Sequence, residues 1–395
     1  MAAVPGSLFR RVLFWAHLVC GIAAGLFILA MSATGVLLTY ERQMVEHAER
    51  GNRVTAPEGA TRLDADRLAD AARTAVPGRG ALSLVFEADP LRTVTASRGR
   101  EGSALLDPYR GTVVADAAEG RRRFFRQIEN WHRWLGADPR STRANVLDVA
   151  NLLFVFIVLS GIYLWVPQVM RWRNWRGLMF FQSRYVNAKV RDFNWHHVFS
   201  FWALIPLLLI AVSGVVISFD WAHRLVYAAY GEQAPQRRGP PGATPSVPRA
   251  EGAPSGEAAP RASLESLRSV AESHLERWQR LTLPVDARGD DVEITAELPS
   301  SERRPPRQAI VLRTADASVL RLSPVQGAAP QTPGQKARTW FRFVHTGEQY
   351  GVIGQTLAGL ASLAACLLVY TGLALAYRRL LRPLFRRATP ASPHS

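Results

Sequence analysis

Four apolar stretches constrain this chain more than any other feature. Residues 12–40, 145–167, 198–219 and 352–377 are each near or above the roughly 20 apolar residues an α-helix needs to cross about 30 Å of hydrocarbon. None carries an uncompensated charge at its centre. Arg10 and Arg11 ahead of the first run could open a signal peptide, but that run is about twice as long as an h-region. Tyr40 and Glu41 follow it in place of a small-residue cleavage site, so a retained helix is expected.

The net charge of +16 invites a nucleic-acid reading, and the placement of the charge argues against one. Arg10 and Arg11 precede the first span; Arg171, Arg173, Arg176, Arg184, Lys189 and Arg191 fill the short loop between the second and third; Arg378, Arg379, Arg382, Arg386 and Arg387 follow the fourth. With four spans these clusters share one side, which the positive-inside rule makes the cytoplasm, and anionic lipid is their expected partner. Both termini are then cytoplasmic and both long loops lie on the far side.

Sliding the chain against itself at an offset of 179 reveals an internal match. Phe14 meets Phe193, His17 meets His196, Val19 meets Val198, Thr34-Gly35-Val36 meets Ser213-Gly214-Val215, and Tyr40-Glu41 meets Phe219-Asp220. Both halves read in the same order, so a parallel duplication is expected. Each long loop holds a helical pattern, Leu63–Ala75 and Leu264–Trp278, followed by short alternating runs. The strands expected are 83–87, 93–97 and 104–115 in the first lobe, and 292–297, 309–313 and 319–322 in the second.

The fold class expected is a membrane all-α four-helix bundle with two α+β lobes. In order, the parts are a cytoplasmic start (1–11), a helix (12–40), the first lobe (41–122), an interfacial segment with His132 (123–144) and the second helix (145–167). A basic loop (168–194), the third helix (195–219) and an interfacial segment (220–232) follow. A Pro/Gly/Ala-rich disordered linker (233–260), the second lobe (261–326), a linker and interfacial segment with His345 (327–351, of which 327–334 reads as a shorter linker), the fourth helix (352–377) and a basic tail (378–395) complete the chain.

Of nine histidines, four are sorted by this topology into two pairs. His17 and His196 lie at the cytoplasmic ends of the first and third spans; His132 and His345 lie on the far side, before the second and fourth. An ionisable residue within a membrane helix is a functional-site candidate, and an imidazole bound to iron escapes the penalty. Two imidazoles filling both axial positions of a haem favour electron transfer, and such a cofactor suits a bundle core. Without a C-x-x-C-H sequence, any haem is held non-covalently. From His17 to Gly35, and again from His196 to Gly214, is 18 residues, close to five helical turns, so each helix offers a glycine on the histidine's face where a second porphyrin could approach. His197 and His223 are further candidates, and Arg133 is a candidate partner of a haem propionate. The tryptophans fit mostly as interfacial belt residues.

The runs His17-Leu18-Val19-Cys20-Gly21 with Thr34-Gly35-Val36-Leu37-Leu38, Trp195-His196-His197-Val198 with Ser213-Gly214-Val215-Val216, and the far-side WHRWL and VHTGEQYG together resemble the PepSY-associated transmembrane family. The resemblance covers nearly the whole chain. Asp107-Pro108-Tyr109-Arg110-Gly111 is similar to the family's D-P-x-T-G turn; the second lobe departs from it at Asp316-Ala317-Ser318, and Ser200 stands where the first half has Gly21. The resemblance implies periplasmic PepSY-like lobes on a bacterial inner-membrane protein. It implies two b-type haems, one held by His17 and His196 and the other by His132 and His345, and reduction of a ferric siderophore or other ferric chelate. No Gly-rich dinucleotide fingerprint is present, so the electron donor expected is a cytoplasmic reductase or quinol. The rival is a membrane-anchored sensor or protease-inhibitory binding protein whose helices are anchors alone. A transporter is disfavoured, because no carboxylate lies deep in a span and the only break in pattern is Pro206.

Overall fold

The computed structural model describes residues 8–99, 101–137, 142–169, 175–235, 261–275, 277–287, 289–299, 305–325 and 331–383. The expected linker over 233–260 lies almost wholly outside them. The described chain divides into two compact units, one built from the apolar segments and one from the two long loops.

In lipid every backbone N–H and C=O needs a partner within its own segment, which makes the helix the natural form for the four apolar runs. They form α1 (Leu8–Leu38), α5 (Thr142–Val169), α7 (Ala188–Ser218) and α11 (Gly351–Leu380). All four have the length and hydropathy of membrane spans. The third begins seven residues before the expected helix start at 195, because Asn187 caps it by accepting from the Val190 N–H at 3.0 Å. His196 is therefore two turns inside the helix rather than at its mouth. Leu26 (68 %), Ile205 (71 %) and Ile353 (75 %) are exposed; outward apolar surface of this extent suits lipid and not water. Inward, Ala24, Ile28, Ala150, Ala203, Leu207, Ala361 and Ala365 make small clusters, with Phe154 packed against two of them.

Helix α1 packs on α5 and α11, and α7 packs on the same two. This puts α1 and α7 across the diagonal of the bundle. The remaining helices of this unit are α4 (Glu119–Trp134), most of which belongs to it, α6 (Trp175–Met179), α8 (Asp220–Ala228) and α10 (Pro333–Thr346). The segments carrying His132 and His345 are thus amphipathic helices, α4 and α10. The expected linker over 327–334 ends sooner than its Pro and Gly suggested: Pro333 opens α10, behind a capping box of Thr332 and Gln335. Gly347 ends it at φ +77°, and a Cβ there would lie 2.4 Å from the Gly354 carbonyl oxygen. Only glycine lets α10 fold back this closely on the start of α11, which fixes where His345 sits.

The second unit holds α2 (Glu41–Glu49), α3 (Ala65–Ala75), α9 (Leu264–His274) and strands β1 (Ser83–Glu87), β2 (Val94–Ser97), β3 (Ser103–Leu106), β4 (Val113–Val114), β5 (Arg280–Pro284), β6 (Asp291–Glu297), β7 (Arg307–Arg313) and β8 (Val319–Leu322). The strands form one antiparallel sheet in the order β4-β3-β2-β1-β5-β6-β7-β8. The two expected lobes are therefore fused through β1 and β5, with Ser83 opposite Pro284 and Glu87 opposite Arg280. Period-2 burial places Leu84, Phe86, Val94, Ala96, Leu281, Leu283, Ile294 and Ile310 on one face, with Leu68 and Ala72 of α3 and Leu267 and Ala271 of α9 in the same core. The helices exchange caps. Asp66 accepts from the Leu264 and Glu265 N–H groups at 2.9 and 3.1 Å, and Glu265 accepts from the Ala65 N–H at 2.8 Å.

Candidate haem-ligand histidines

Each of the four histidines is fixed by a hydroxyl on a neighbouring element. His17 on α1 has its Nδ1 2.9 Å from Ser160 Oγ of α5. His196 on α7 has its Nδ1 3.0 Å from Thr371 Oγ1 of α11. His132 on α4 meets Thr34 Oγ1 of α1 at 2.9 Å, and His345 on α10 meets Ser213 Oγ of α7 at 3.1 Å. These contacts make α5 and α11 antiparallel to α1 and α7, and set the histidines at two levels. His17 and His196 lie at the basic end of the bundle, where Arg191 and Arg378 also lie; His132 and His345 lie at the end from which the chain runs into the second unit. The 17 residues from His17 to Thr34 separate the levels by about 26 Å along α1.

The hydroxyls decide which ring nitrogen keeps a lone pair. Thr34 donates its own proton to the Ala30 and Met31 carbonyls at 2.6 and 3.0 Å, Ser160 to Ile157 at 3.1 Å, Ser213 to Ile210 at 2.9 Å, and Thr371 to Leu367 and Leu368 at 2.8 and 3.2 Å. A hydroxyl whose proton is used in this way can only accept from the imidazole. Each Nδ1 is therefore the protonated nitrogen, and each Nε2 carries the lone pair that binds a metal. His345 strengthens the assignment, since its Nδ1–H also reaches the Ile210 carbonyl at 3.0 Å.

The ring centroids of His132 and His345 lie 6.2 Å apart with planes at 63°, in an edge-on arrangement. A metal held about 2.0–2.1 Å from one nitrogen of each ring, with about 1.1 Å from nitrogen to ring centre, would set opposed centroids ~6.3 Å apart. The donor set and that separation suit a haem iron that both imidazoles would hold. Burial, and then the charges of His345 and Arg133, push the His132 imidazolium down to about 4, so the ring is neutral at ordinary pH. Burial lowers His345 as well. At the other level, His17 and His196 come from diagonally opposed helices. Among the described residues no group of three or more His, Cys, Asp or Glu side chains converges, so these sites are pairs.

A glycine follows each hydroxyl residue, and three of these glycines lie beside the ring. An added Cβ would lie 3.6 Å from His132 Cε1 at Gly35, 3.5 Å from His17 Cε1 at Gly161 and 3.5 Å from His196 Cε1 at Gly372. Gly214 differs: its near neighbour is Asn151, whose Nδ2 would be 2.7 Å from the Cβ and which donates to the Ala211 carbonyl at 3.1 Å. Ser160-Gly161 and Thr371-Gly372 complete a pattern of which only Thr34-Gly35 and Ser213-Gly214 were recognised from sequence. The missed signal was one Ser/Thr-Gly pair in every apolar helix.

The secondary candidates lie outside the two pairs as drawn here. His197 stacks on Phe193 with centroids 4.2 Å apart, its Nδ1 2.9 Å from that residue's carbonyl oxygen. His223 on α8 is buried and accepts at Nδ1 from Arg338 Nε at 3.1 Å. Arg133 is half-exposed, paired with Glu129 at 3.0 Å and lying 4.3 Å over Trp134.

No curated protein matches the chain. The sequence profile described as the PepSY-associated TM region matches residues 14–379, nearly the whole length. With that match and its four membrane-type helices, the chain belongs to the PepSY-associated transmembrane family.

Proposed function

We propose that this protein carries electrons across a bacterial inner membrane through two b-type haems, one between His17 and His196 and one between His132 and His345, and delivers them to a ferric siderophore or other ferric chelate in the periplasm. The observation that carries the reading is the pair His132 and His345, with ring centroids 6.2 Å apart and each Nδ1 engaged by a hydroxyl, which leaves Nε2 for a metal. When bound, haem supplies a one-electron ferric/ferrous couple. Two imidazoles would hold each haem, an arrangement that favours electron transfer over oxygen chemistry. Thr34, Ser160, Ser213 and Thr371 hold the Nδ1 protons and the ring planes, which keeps reorganisation on electron transfer small. Between the levels, Ala24, Ile28, Phe154, Leu207 and Ala365 form an apolar layer that excludes water. A cytoplasmic reductase or quinol would supply the electrons.

The reading includes a parallel duplication. Each half has a first span with a histidine and a Ser/Thr-Gly pair, then a second histidine, then a second span with its own Ser/Thr-Gly pair. The two-sided strand order and the reciprocal caps of Asp66 and Glu265 support the same descent for the lobes. Arginine clusters at the basic end support the orientation with that end cytoplasmic. The test is spectral. Protein purified from haem-replete cells should show a Soret band that sharpens with dithionite, at close to two haems per chain, and the reduced form should reoxidise on adding a ferric chelate. A colourless preparation would contradict the proposal. Activity indifferent to His17→Ala and His196→Ala would favour an anchored PepSY binding protein instead.

A further inference from the structure

Near the basic end one buried donor lacks an acceptor. Trp165 follows Gly161 by four residues on α5, one turn nearer that end and about 40° round the helix. Its indole stacks on Phe201 of α7, with centroids 5.5 Å apart and planes at 25°. The indole thus sits between the helix that orients His17 and the helix that bears His196. Its Nε1 is shielded from solvent and has no hydrogen-bond acceptor among the described residues. Trp usually finds a partner for this N–H when buried, and each such unmet group in a native protein asks for an explanation. Alongside it, Arg10 donates to the Leu164 carbonyl at 3.3 Å, which brings a guanidinium to the neighbouring residue of α5. A donor N–H with a cation close by is the chemistry of a carboxylate site.

We propose that the Trp165 Nε1–H donates to a propionate carboxylate of the porphyrin held by His17 and His196, so that this porphyrin turns its acid edge toward the basic end of the bundle. The proposal rests on the haem reading above. It adds which way the ring is turned and which side chain holds it. Arg10 supplies the balancing charge, and Phe201 fixes the indole plane so that the N–H cannot swing away.

The experiment uses full-length protein and Trp165→Phe, which keeps the stacking ring and removes only the N–H. Haem release to excess apomyoglobin is followed, together with a redox titration, for native haem and for haem dimethyl ester, which has no free carboxylate. A hydrogen bond to a charged group predicts release of one of the two haems about ten-fold faster or more in the variant, with a shift in one midpoint potential only. The ester should leave wild type and variant at the same rate. In wild type alone, ultraviolet resonance Raman should show a stronger indole N–H hydrogen bond with haem than with the ester, a readout that does not depend on the variant folding. Equal release of native haem from wild type and variant, or an indole band indifferent to esterification, would overturn the assignment while leaving bis-histidine binding intact. A wild type without haem would overturn both.

Discussion

Replacing Thr34 by valine tests whether the hydroxyls set the histidine tautomer. Valine keeps the branched shape and removes the oxygen that lies 2.9 Å from His132 Nδ1. Because Thr34 spends its own proton on the Ala30 and Met31 carbonyls, its lone pairs are what the imidazole N–H uses. Removing an outer-shell partner of a ligating histidine typically costs 10–100-fold in metal affinity. Here the Met31 carbonyl is also within reach of the ring, so the effect belongs near the lower bound, about ten-fold or ~1.4 kcal/mol. Haem transfer to apomyoglobin should speed up about ten-fold for one of the two haems, and that haem's midpoint potential should move positive, since its ligand becomes less basic. Thr39→Val is the control: Thr39 Oγ1 donates to the Gly35 carbonyl at 3.1 Å at the same end of the bundle. Release and potential in Thr34→Val equal to those of Thr39→Val, under conditions where His132→Ala loses a haem, would refute the tautomer reasoning.

Alanine at Gly161 or Gly372 adds a Cβ at ordinary contact distance, 3.5 Å, from His17 or His196, so both variants should keep full haem content, whereas leucine at either position should displace the ring and halve the content measured as pyridine haemochrome. Asp192, fully buried, pairs with Arg378 of α11 and Arg191; Asp192→Asn leaves Arg378 without its counter-charge and should cost about 3 kcal/mol, read as a lower thermal midpoint in detergent, and an unchanged midpoint would contradict the pairing. Asp66→Ala removes the acceptor of the first two N–H groups of α9, leaving the Ser263 cap in place, and should cost about 1–2 kcal/mol, seen as faster hydrogen exchange at Leu264 and Glu265. Hydrogen bonds from Arg268, and then from the Ala65 N–H, hold Glu265 below its ordinary 4.5. Its stabilisation is therefore complete above that value and lost as pH falls through the depressed one. Exchange at the start of α3 should accelerate on acidification across that window, and a flat profile would count against it.

Sequence reading reached the parts of this molecule whose signals are local. The four spans were legible because apolar length is written into the chain, and β1, β6 and β8 because period-2 alternation is as well. What escaped was set by distant partners. Strand β5, from Arg280 to Pro284, lies between the expected helix ending at Trp278 and the first expected strand at 292, and nothing near Leu281 announces pairing with Phe86, almost two hundred residues away. The fusion of two lobes into one sheet was hidden for the same reason. The start of helix α10 is obscured in the sequence, because the Pro and Gly of Thr332-Pro333-Gly334-Gln335 have the composition of a linker even though the four residues form a capping box. At the candidate site the histidines stood out as ionisable residues beside apolar runs. Their hydroxyl partners did not, because a serine or threonine inside an apolar helix satisfies itself on the preceding turn and leaves no trace of a second role. Gly214 shows the limit of face arguments: five turns place it on the right side of α7, yet Asn151 fills the space beside it.

The measurement that bears most directly on the central claim is haem stoichiometry in paired variants. If His17 works with His196 and His132 with His345, the double variants His17→Ala with His196→Ala, and His132→Ala with His345→Ala, should each retain one six-coordinate low-spin haem per chain. Crossing the pairs, as in His17→Ala with His132→Ala, should leave none. Retention of a full low-spin haem in a crossed variant, or two haems surviving in either within-pair variant, would contradict the pairing and the electron path built on it.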